Sequence, residues 1–292
     1  MDSLSRPAAL QNSSEIPSAL TRNRGGGSRI ALDGLANTRD LGGMETMDGR
    51  RIRDHRLIRS GALAKATNSD IRVLIDEYHV RKVVDFRTRE ERLESPDPQK
   101  SMGGVSFVDI PILDAQSFGI TRERGIKGFL DALIELKQDP AALMIEAYST
   151  MLVGEKCRRG YARFFEELLA LEDDALLWHC SAGKDRAGLA TVLVLAALGV
   201  SQDAIRADYL ETNRYLRAST ETFSSFLAAY HIPHEIGKSL RILNSTDVRF
   251  LDAALAPVEK MYGSLPGYLR EALGVTDEKR EVLRQRYLVK VR

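Results

Sequence analysis

The sequence predicts an α/β fold in which helices cover both faces of a β-sheet. From residue 30 onward, short apolar runs typical of strands alternate with longer patterns typical of helices. The chain has 292 residues, of which 43% are hydrophobic, and this is enough to bury one large core. No internal repeat requires a second domain. Residues 29–292 are therefore expected to form a single domain.

The first 28 residues are expected to form a disordered tail. They are rich in Ser, Arg and Gly, contain Pro7 and Pro17, and end in Gly25-Gly26-Gly27. A transit peptide is the alternative, but Asp2 and Glu15 weaken that interpretation. The segment lacks the charged start and apolar core of a signal peptide, so the expected location is cytoplasmic, with export by another route left open.

Strands are predicted where short apolar runs occur, and helices where apolar residues recur at helical spacing. Asn68 or Ser69 is expected to cap the first helix, and Asp139-Pro140 separates two later ones. From Ser201 onward the chain is expected to be nearly all helical. The predicted strands are Leu57–Ser60, 82–86, 107–111 and 176–179. The predicted helices are 68–78, 127–137, 141–153, 158–171 and 189–200.

Composition excludes several classes of function. The net charge of +1 argues against a nucleic-acid partner, and the longest apolar run, 189–200, is too short to span a bilayer. The two cysteines, Cys157 and Cys180, are too few for a disulfide framework and fit a reducing compartment. The five histidines show no zinc pattern beyond His231-x-x-His234, so we expect neither a metal nor another cofactor.

The most informative segment is Trp178-His-Cys180-Ser-Ala-Gly-Lys-Asp-Arg186-Ala-Gly188. Its cysteine and arginine lie in a short glycine-containing loop between a predicted strand and a predicted helix. A helix N-terminus offers backbone N–H groups to an anion, and a guanidinium can hold two phosphate oxygens. The same positive field favours the thiolate, the nucleophilic form of Cys180. The alternative is a small buried cysteine at the end of a core strand.

This loop resembles the C-x5-R signature of the protein tyrosine phosphatase superfamily. Gly183-Lys184-Asp185-Arg186 is similar to the version found in an atypical bacterial and fungal branch. Four further segments match that branch in order: Asn37-Thr-Arg39-Asp40-Leu-Gly-Gly43, Leu57-Ile-Arg59-Ser60, Asp85-Phe-Arg87-Thr-Arg-Glu-Glu91 and Tyr262-Gly-Ser-Leu-Pro-Gly-Tyr268-Leu. The resemblance therefore covers most of the chain.

The resemblance implies a cysteine-phosphatase fold with a mostly parallel central sheet and a helical lid inserted at about 117–155. Arg122, Arg124 and Lys127 of that insertion would either face an anionic substrate or lie on a solvated helix end. The implied activity is metal-independent hydrolysis of phosphotyrosine proteins, phosphoinositides or both, with peripheral access to lipid.

The resemblance also implies the catalytic roles. Cys180 attacks phosphorus to form a cysteinyl-phosphate while Arg186 binds the phosphate oxygens. Asp114 is expected to be the general acid, with Asp109 as the rival. His179 is expected to order the loop. The predicted phosphate-binding residues are Ser181, Ala182, Gly183, Lys184, Asp185 and Arg186.

Other predicted site residues support the loop or select the substrate. Lys184 would bind a second phosphate of an inositide, and Asp185 would orient the hydrolytic water or bind a lipid hydroxyl. Asp85, Arg87 and Glu91 belong to one matched segment near the site. A carboxylate of this segment would orient a loop arginine or cap the following helix. Arg39 and Asp40 are interpreted as a structural ion pair.

One departure from the family pattern concerns turnover. The family usually places Ser or Thr after the arginine, where its hydroxyl stabilises the leaving thiolate, and this chain has Ala187. A phosphate-binding pseudophosphatase is therefore the alternative function, and a rhodanese-like sulfurtransferase is disfavoured by the Arg186 spacing. Cys157 is interpreted as an ordinary helix residue, with a disulfide to oxidised Cys180 as the alternative.

Overall fold

A computed structural model describes residues 27–113, 139–217, 221 and 234–291. Its strands are β1 (Ser28–Arg29), β2 (Arg39–Asp40), β3 (Arg50–Ile52), β4 (Leu57–Ser60), β5 (Val80–Asp85), β6 (Ser106–Asp109), β7 (Ala175–His179) and β8 (Leu288–Lys290). Six of them form one sheet in the order β1-β2-β4-β7-β5-β6, and β3 pairs with β8. The pairings β4–β7, β7–β5 and β5–β6 are parallel. The predicted mostly parallel α/β sheet is therefore confirmed.

The helices of the described residues pack on both faces of this sheet. They are α1 (Asn68–Arg72), α2 (Arg89–Glu94), α3 (Pro140–Thr150), α4 (Glu155–Ala170), α5 (Arg186–Leu198), α6 (Gln202–Tyr215), α7 (His234–Leu243), α8 (Val248–Tyr262), α9 (Leu265–Glu271) and α10 (Asp277–Tyr287). None of these helices is long and apolar enough to cross a membrane.

Two hydrophobic cores lie on opposite faces of the sheet. Along β7, Leu176 and Trp178 pack into the larger core with α4 and α5, whereas Ala175 and Leu177 pack into the smaller one beside α1. This alternation follows from the two-residue period of a strand. It also explains why the predicted run is continuously apolar, since a central parallel strand is buried on both faces.

Several predicted boundaries differ from the observed elements. The first helix is capped by Thr67, not by Asn68 or Ser69, because Thr67 forms a reciprocal capping box with Asp70. The helix also ends as α-helix at Arg72 and continues as a π turn over Val73–Glu77. Strand β8 lies in the region predicted to be nearly all helical, where its partner β3 is more than 200 residues away in sequence.

Two predicted segments fall largely outside the described residues. Of the predicted tail, residues 1–26 lie outside them, and Ser28 belongs to β1. Residues 114–138 also lie outside the described residues. They contain the predicted helix 127–137 and Arg122, Arg124 and Lys127. The described part of the insertion forms α3, and the lid itself stays a prediction.

The parallel strands bring four polar residues to one edge of the sheet. In register, His179 of β7 lies opposite Ser60 of β4 on one side and Asp85 of β5 on the other, and Asp85 lies opposite Asp109 of β6. The carboxyl ends of parallel strands are where open α/β sheets bind ligands. This edge therefore carries the candidate site.

Candidate active site

The loop from Cys180 to Asp185 leaves β7 and enters α5 at Arg186. Cys180 is 1% exposed at its base. Gly183 has a φ of +73°, and a Cβ there would lie 2.5 Å from the carbonyl oxygen of Ser60. Only glycine fits this position, because both the left-handed backbone and the close approach of β4 exclude a side chain.

Neighbouring elements hold the loop by its carbonyl groups. Ser181 O accepts from Ala62 N at 2.9 Å, Ala182 O from Asn37 Nδ2 at 2.9 Å, and Gly183 O from Arg59 Nη2 at 2.7 Å. In a planar trans peptide the N–H points opposite to the C=O. The amides of Ala182, Gly183 and Lys184 therefore point away from these partners, as the amides of an anion-binding loop would.

Arg186 is fixed by two hydrogen bonds to one carboxylate. Its Nη1 and Nη2 donate to Glu91 at 2.6 and 2.8 Å, and Nη2 also lies 3.2 Å from the Ser181 hydroxyl oxygen. Burial raises the pKa of Glu91, but the hydrogen bonds and charge of Arg186 outweigh it and lower the pKa to about 2. Glu91 also accepts from the Thr88 backbone at the start of α2. Glu91 thus both orients the loop arginine and caps α2, the two roles considered for this segment.

Asp185 and Lys184 form an ion pair inside the loop. Lys184 Nζ lies 2.6 Å from Asp185 Oδ1, and Lys184 is only 5% exposed. The hydroxyl of Tyr148 on α3 donates to the same oxygen and in turn accepts from Tyr209 at 3.0 Å. Burial, followed by the charge of Asp185, raises the pKa of Tyr148 well above its usual value, so the phenol stays protonated as the donor.

His179 lies in a buried network of charged groups. Its Nδ1 is 3.1 Å from Cys180 O, and its Nε2 is 3.0 Å from Asp97 Oδ2. Arg87 contacts both Asp85, at 2.7 Å, and Asp97, at 2.9 Å. Asp85, Asp97 and His179 are close enough to resemble a metal-ligand set. Arg87 pairs with both carboxylates, so these acidic groups are already partners in an ion-pair network.

Arg39 forms its ion pair with Asp208 of α6, at 2.9 Å, so the predicted pair with Asp40 is wrong. Successive side chains of a strand point to opposite faces, which separates Arg39 from Asp40 within β2. Asp40 instead accepts hydrogen bonds from the backbone of Gly42 and His55. Arg59 joins the same carboxylate of Asp208, at 2.8 Å.

Asp114, the predicted general acid, lies outside the described residues, which resume at Asp139. The preceding segment passes the site: Ile112 N donates to Phe86 O at 3.3 Å. The rival Asp109 ends β6 with about half of its side chain exposed and pairs with Arg92 at 3.3 Å. Assignment of the acid to Asp114 stays a prediction.

The remaining positions of interest are both buried. Ala187 is 0% exposed, and its carbonyl accepts from Trp178 Nε1 at 3.2 Å and Thr191 Oγ1 at 2.8 Å. Cys157 on α4 donates to Ile112 O at 3.3 Å, and it is not disulfide-bonded.

A cleft of about 520 Å³ opens beside the loop. Its lining includes Ser181, Ala182, Glu91, Asn37, Ala62 and Lys65. A substrate whose phosphate occupies the loop therefore has space for the group that carries it.

The sequence analysis missed Asn37, Arg59, Asp97, Tyr148 and Asp208 as site residues. Asn37 and Arg59 stand inside two matched motifs, but only the motif of Asn37 contributed predicted site residues, Arg39 and Asp40. Asp208 had a readable signal: it shares one helical face with the apolar Ile205 at i,i+3 spacing, and a charge on a buried face requires a charged partner. Asp97 and Tyr148 carry no such local signal, since their partners are distant in sequence.

Comparisons with known proteins agree with this geometry. The model of the tyrosine phosphatase family matches residues 30–289. A protein of Cupriavidus necator, assigned by name to the tyrosine-protein phosphatases, is 34% identical over 249 residues, covering 84% of each chain. Triple specificity protein phosphatase PtpB of Mycobacterium tuberculosis is 26% identical over 264 residues, 82% of this chain and 92% of that protein. A tyrosine-protein phosphatase of Nostoc commune is 25% identical over 233 residues, 78% of this chain and 73% of that protein. Since the family model spans the sheet, the loop and the C-terminal helices, and the motif resemblance points the same way, this chain belongs to the tyrosine phosphatase family.

Proposed function

We propose that the protein hydrolyses phosphotyrosine in proteins through a cysteinyl-phosphate intermediate, without a metal or other cofactor. The observation that carries this proposal is the loop of Cys180 and Arg186, in which Glu91 holds the guanidinium and neighbouring residues hold three successive loop carbonyls. These groups match what an in-line phosphoryl transfer to sulfur requires.

In the proposed first step, the Cys180 thiolate attacks phosphorus and the oxygen–phosphorus bond to the leaving group breaks. Arg186 and the loop amides bind the three equatorial oxygens, and a general acid protonates the leaving oxygen. Asp114 is our candidate for that acid. In the second step a water molecule attacks phosphorus and gives a proton to the carboxylate of the general acid, while the sulfur–phosphorus bond breaks. Inorganic phosphate leaves and the Cys180 thiolate is restored. Asp185, held by Tyr148 and Lys184, is our candidate for orienting that water.

Phosphoinositides are the second proposed substrate class. The proposal of a phosphoinositide substrate depends on Lys184 as an additional cation. The ion pair with Asp185, however, already balances the charge of Lys184. We therefore rank phosphotyrosine first. The relative named for triple specificity supports a broad set of phosphorylated protein side chains. Neither cysteine is disulfide-bonded, which is compatible with the reducing cytoplasm as the proposed location.

The test is phosphate release from phosphotyrosine, phosphoserine and phosphothreonine peptides and from a phosphoinositide panel. We expect the wild-type chain to release phosphate fastest from phosphotyrosine. A Cys180→Ser variant should abolish release from every substrate, since a hydroxyl is a far weaker nucleophile at neutral pH. Release that survives in Cys180→Ser would contradict the proposed mechanism.

Ala187 favours a second candidate, a phosphate-binding pseudophosphatase with little turnover. Without a hydroxyl after Arg186, breakdown of the phosphoenzyme would be slow. An Ala187→Ser variant adds one atom to a fully buried position and should raise kcat and shrink any burst of leaving group. Rapid-quench kinetics on an aryl phosphate would measure both. Unchanged kcat and burst would remove the role assigned to this position, and the absence of wild-type release would favour the pseudophosphatase.

A further inference from the structure

A buried cluster behind the loop contains more positive than negative charge. The side chains of Arg39 and Arg59 are both 0% exposed, and both contact the carboxylate of Asp208, which is 1% exposed. Arginine stays protonated in proteins, so two guanidinium groups share one carboxylate. Burial, and then the charge of Arg39, lower the pKa of Arg59 to about 10, which still leaves it charged at neutral pH.

Among the described residues, the groups that contact Arg39 do not supply a second negative charge. Arg39 also donates to Asn37 Oδ1 and Thr212 Oγ1 and lies over the ring of Tyr215, all neutral at pH 7. Burial raises the pKa of Asp208, but the charges of Arg39 and Arg59 outweigh it, so the carboxylate stays ionised. The cluster therefore carries one net positive charge.

Arg59 connects this charge to the phosphate loop. It lies on β4, and its Nη2 donates to Gly183 O at 2.7 Å. Its Nε is buried and has no hydrogen-bond partner among the described residues. The negative charge of a Cys180 thiolate acts against the effect of burial and raises the pKa of Arg59. A buried cation without full compensation is costly, unless an anion lies nearby.

We propose that the surplus charge of the Arg39–Asp208–Arg59 cluster is a fixed counter-charge for the anion in the loop, first the Cys180 thiolate and then the bound phosphate. Arg59 is its positioning residue, since it contacts the loop backbone and not the substrate. This inference rests on the proposed function only in taking Cys180 as the nucleophile. It differs from direct binding by Arg186, because this charge lies behind the loop.

The test measures how the rate of Cys180 alkylation by iodoacetamide depends on pH, with peptide mass spectrometry separating Cys180 from Cys157. Arg59→Gln removes the surplus charge and should raise the pH midpoint by about one unit. Asp208→Asn removes the compensating charge and should lower the midpoint. Arg59→Lys keeps a charge at the position and should stay closer to wild type than Arg59→Gln.

Arg56→Gln is the matched control. Arg56 is a mostly buried arginine just before β4, and it bonds to the carbonyl of Glu172, away from the loop. Its loss should leave the Cys180 midpoint unchanged. Circular dichroism establishes that each variant is folded. If Arg59→Gln does not fold, the test uses the Cys180 midpoints of Asp208→Asn, Arg59→Lys and wild type. A lower midpoint in Asp208→Asn alone then supports the counter-charge, and equal midpoints overturn it.

Opposite shifts in Arg59→Gln and Asp208→Asn would support the counter-charge, because damage to the loop would move both midpoints in the same direction. Equal shifts, or none, would overturn it. Phosphate release measured in parallel separates the two proposals. Opposite shifts in a chain without turnover overturn only the phosphatase function, and turnover without shifts overturns only the counter-charge.

Discussion

Glu91 determines both the charge balance and the orientation of Arg186. Its two oxygens accept from the two terminal nitrogens of the guanidinium, the two-bond arrangement that arginine forms with a carboxylate. Replacing Glu91 by Gln keeps an acceptor for the Thr88 backbone but removes the charge. We expect kcat/KM for a phosphotyrosine peptide to fall about tenfold, the size of one charge-assisted hydrogen bond. Steady-state kinetics would measure this.

Glu90 provides the matched control for this change. It is the exposed neighbour on α2, so Glu90→Gln alters the same helix without touching Arg186 and should leave kcat/KM unchanged. An equal loss in both variants would mean that the α2 charge, and not the contact with Arg186, supports activity.

The lowered pKa of Glu91 also makes the free energy of unfolding depend on pH. The pKa of Glu91 is lowered from 4.5 to about 2 in the folded state, so its contribution to stability is complete above pH 4.5 and is lost as the pH falls toward 2. The difference in unfolding free energy between wild type and Glu91→Gln should therefore be smaller at pH 3 than at pH 7. Urea denaturation at the two pH values would measure it, and a larger difference at pH 3 would contradict the assignment.

At the scale of elements, the loop between β7 and α5 takes its shape from β4. Gly183 combines a positive φ with a close approach to Ser60, so Gly183→Ala adds a steric overlap to the backbone strain. Gly49 also has a positive φ but open space around it, so Gly49→Ala carries the backbone cost alone, about 1 kcal/mol. We expect Gly183→Ala to lose more stability in urea denaturation, and most of its activity. Equal destabilisation of the two variants would show that β4 yields to the added methyl group.

Helix α3 is tied to the loop by Tyr148. Its phenol donates to Asp185, and its ring lies 5.7 Å from that of Phe250 on α8. The first helix after residues 114–138 therefore contacts both the phosphate loop and the C-terminal helices. A displacement of α3 would therefore act on Asp185 through this side chain.

The elements were predictable where the signal is local. Strand β4 was predicted with its observed bounds because it is a short run that begins with buried apolar residues, and the α5 and α4 patterns were found within a few residues. The glycine-containing loop was predicted as a phosphate cradle because its residue types and spacing suffice. The pairing of the residues around the loop was not predictable from local patterns, because Asp208 bonds to Arg39, 169 residues away, and Tyr148 to Asp185, 37 residues away. Such contacts depend on topology, which propensity and periodicity do not contain.

At the scale of the whole molecule, β7 and its flanking strands link the site to both cores. The polar groups of the site lie at one edge, while Leu177 and Trp178 of the same strand pack on opposite faces. The buried charges of the site, such as Asp85, Arg59 and His179, thus lie at the loop end of the strands, next to the apolar side chains of both cores. This arrangement supplies each ion with a partner or a ligand site while leaving the cores free of charge.

Trp178 allows a test of whether the catalytic region unfolds as one unit, as expected if residues 29–292 form a single domain. It is the only tryptophan, lies in the middle of the sheet, and donates to Ala187 O at the start of α5. Its fluorescence reports the sheet and the loop, whereas far-ultraviolet circular dichroism reports mainly the helices. We expect urea transitions by the two probes to coincide.

Inorganic phosphate at ten times its Kd should shift both transitions together by about 1.4 kcal/mol, and Arg186→Met should lose that shift. Separate transitions, or a phosphate effect on fluorescence alone, would mean that the sheet with its loop and the C-terminal helices unfold as distinct units.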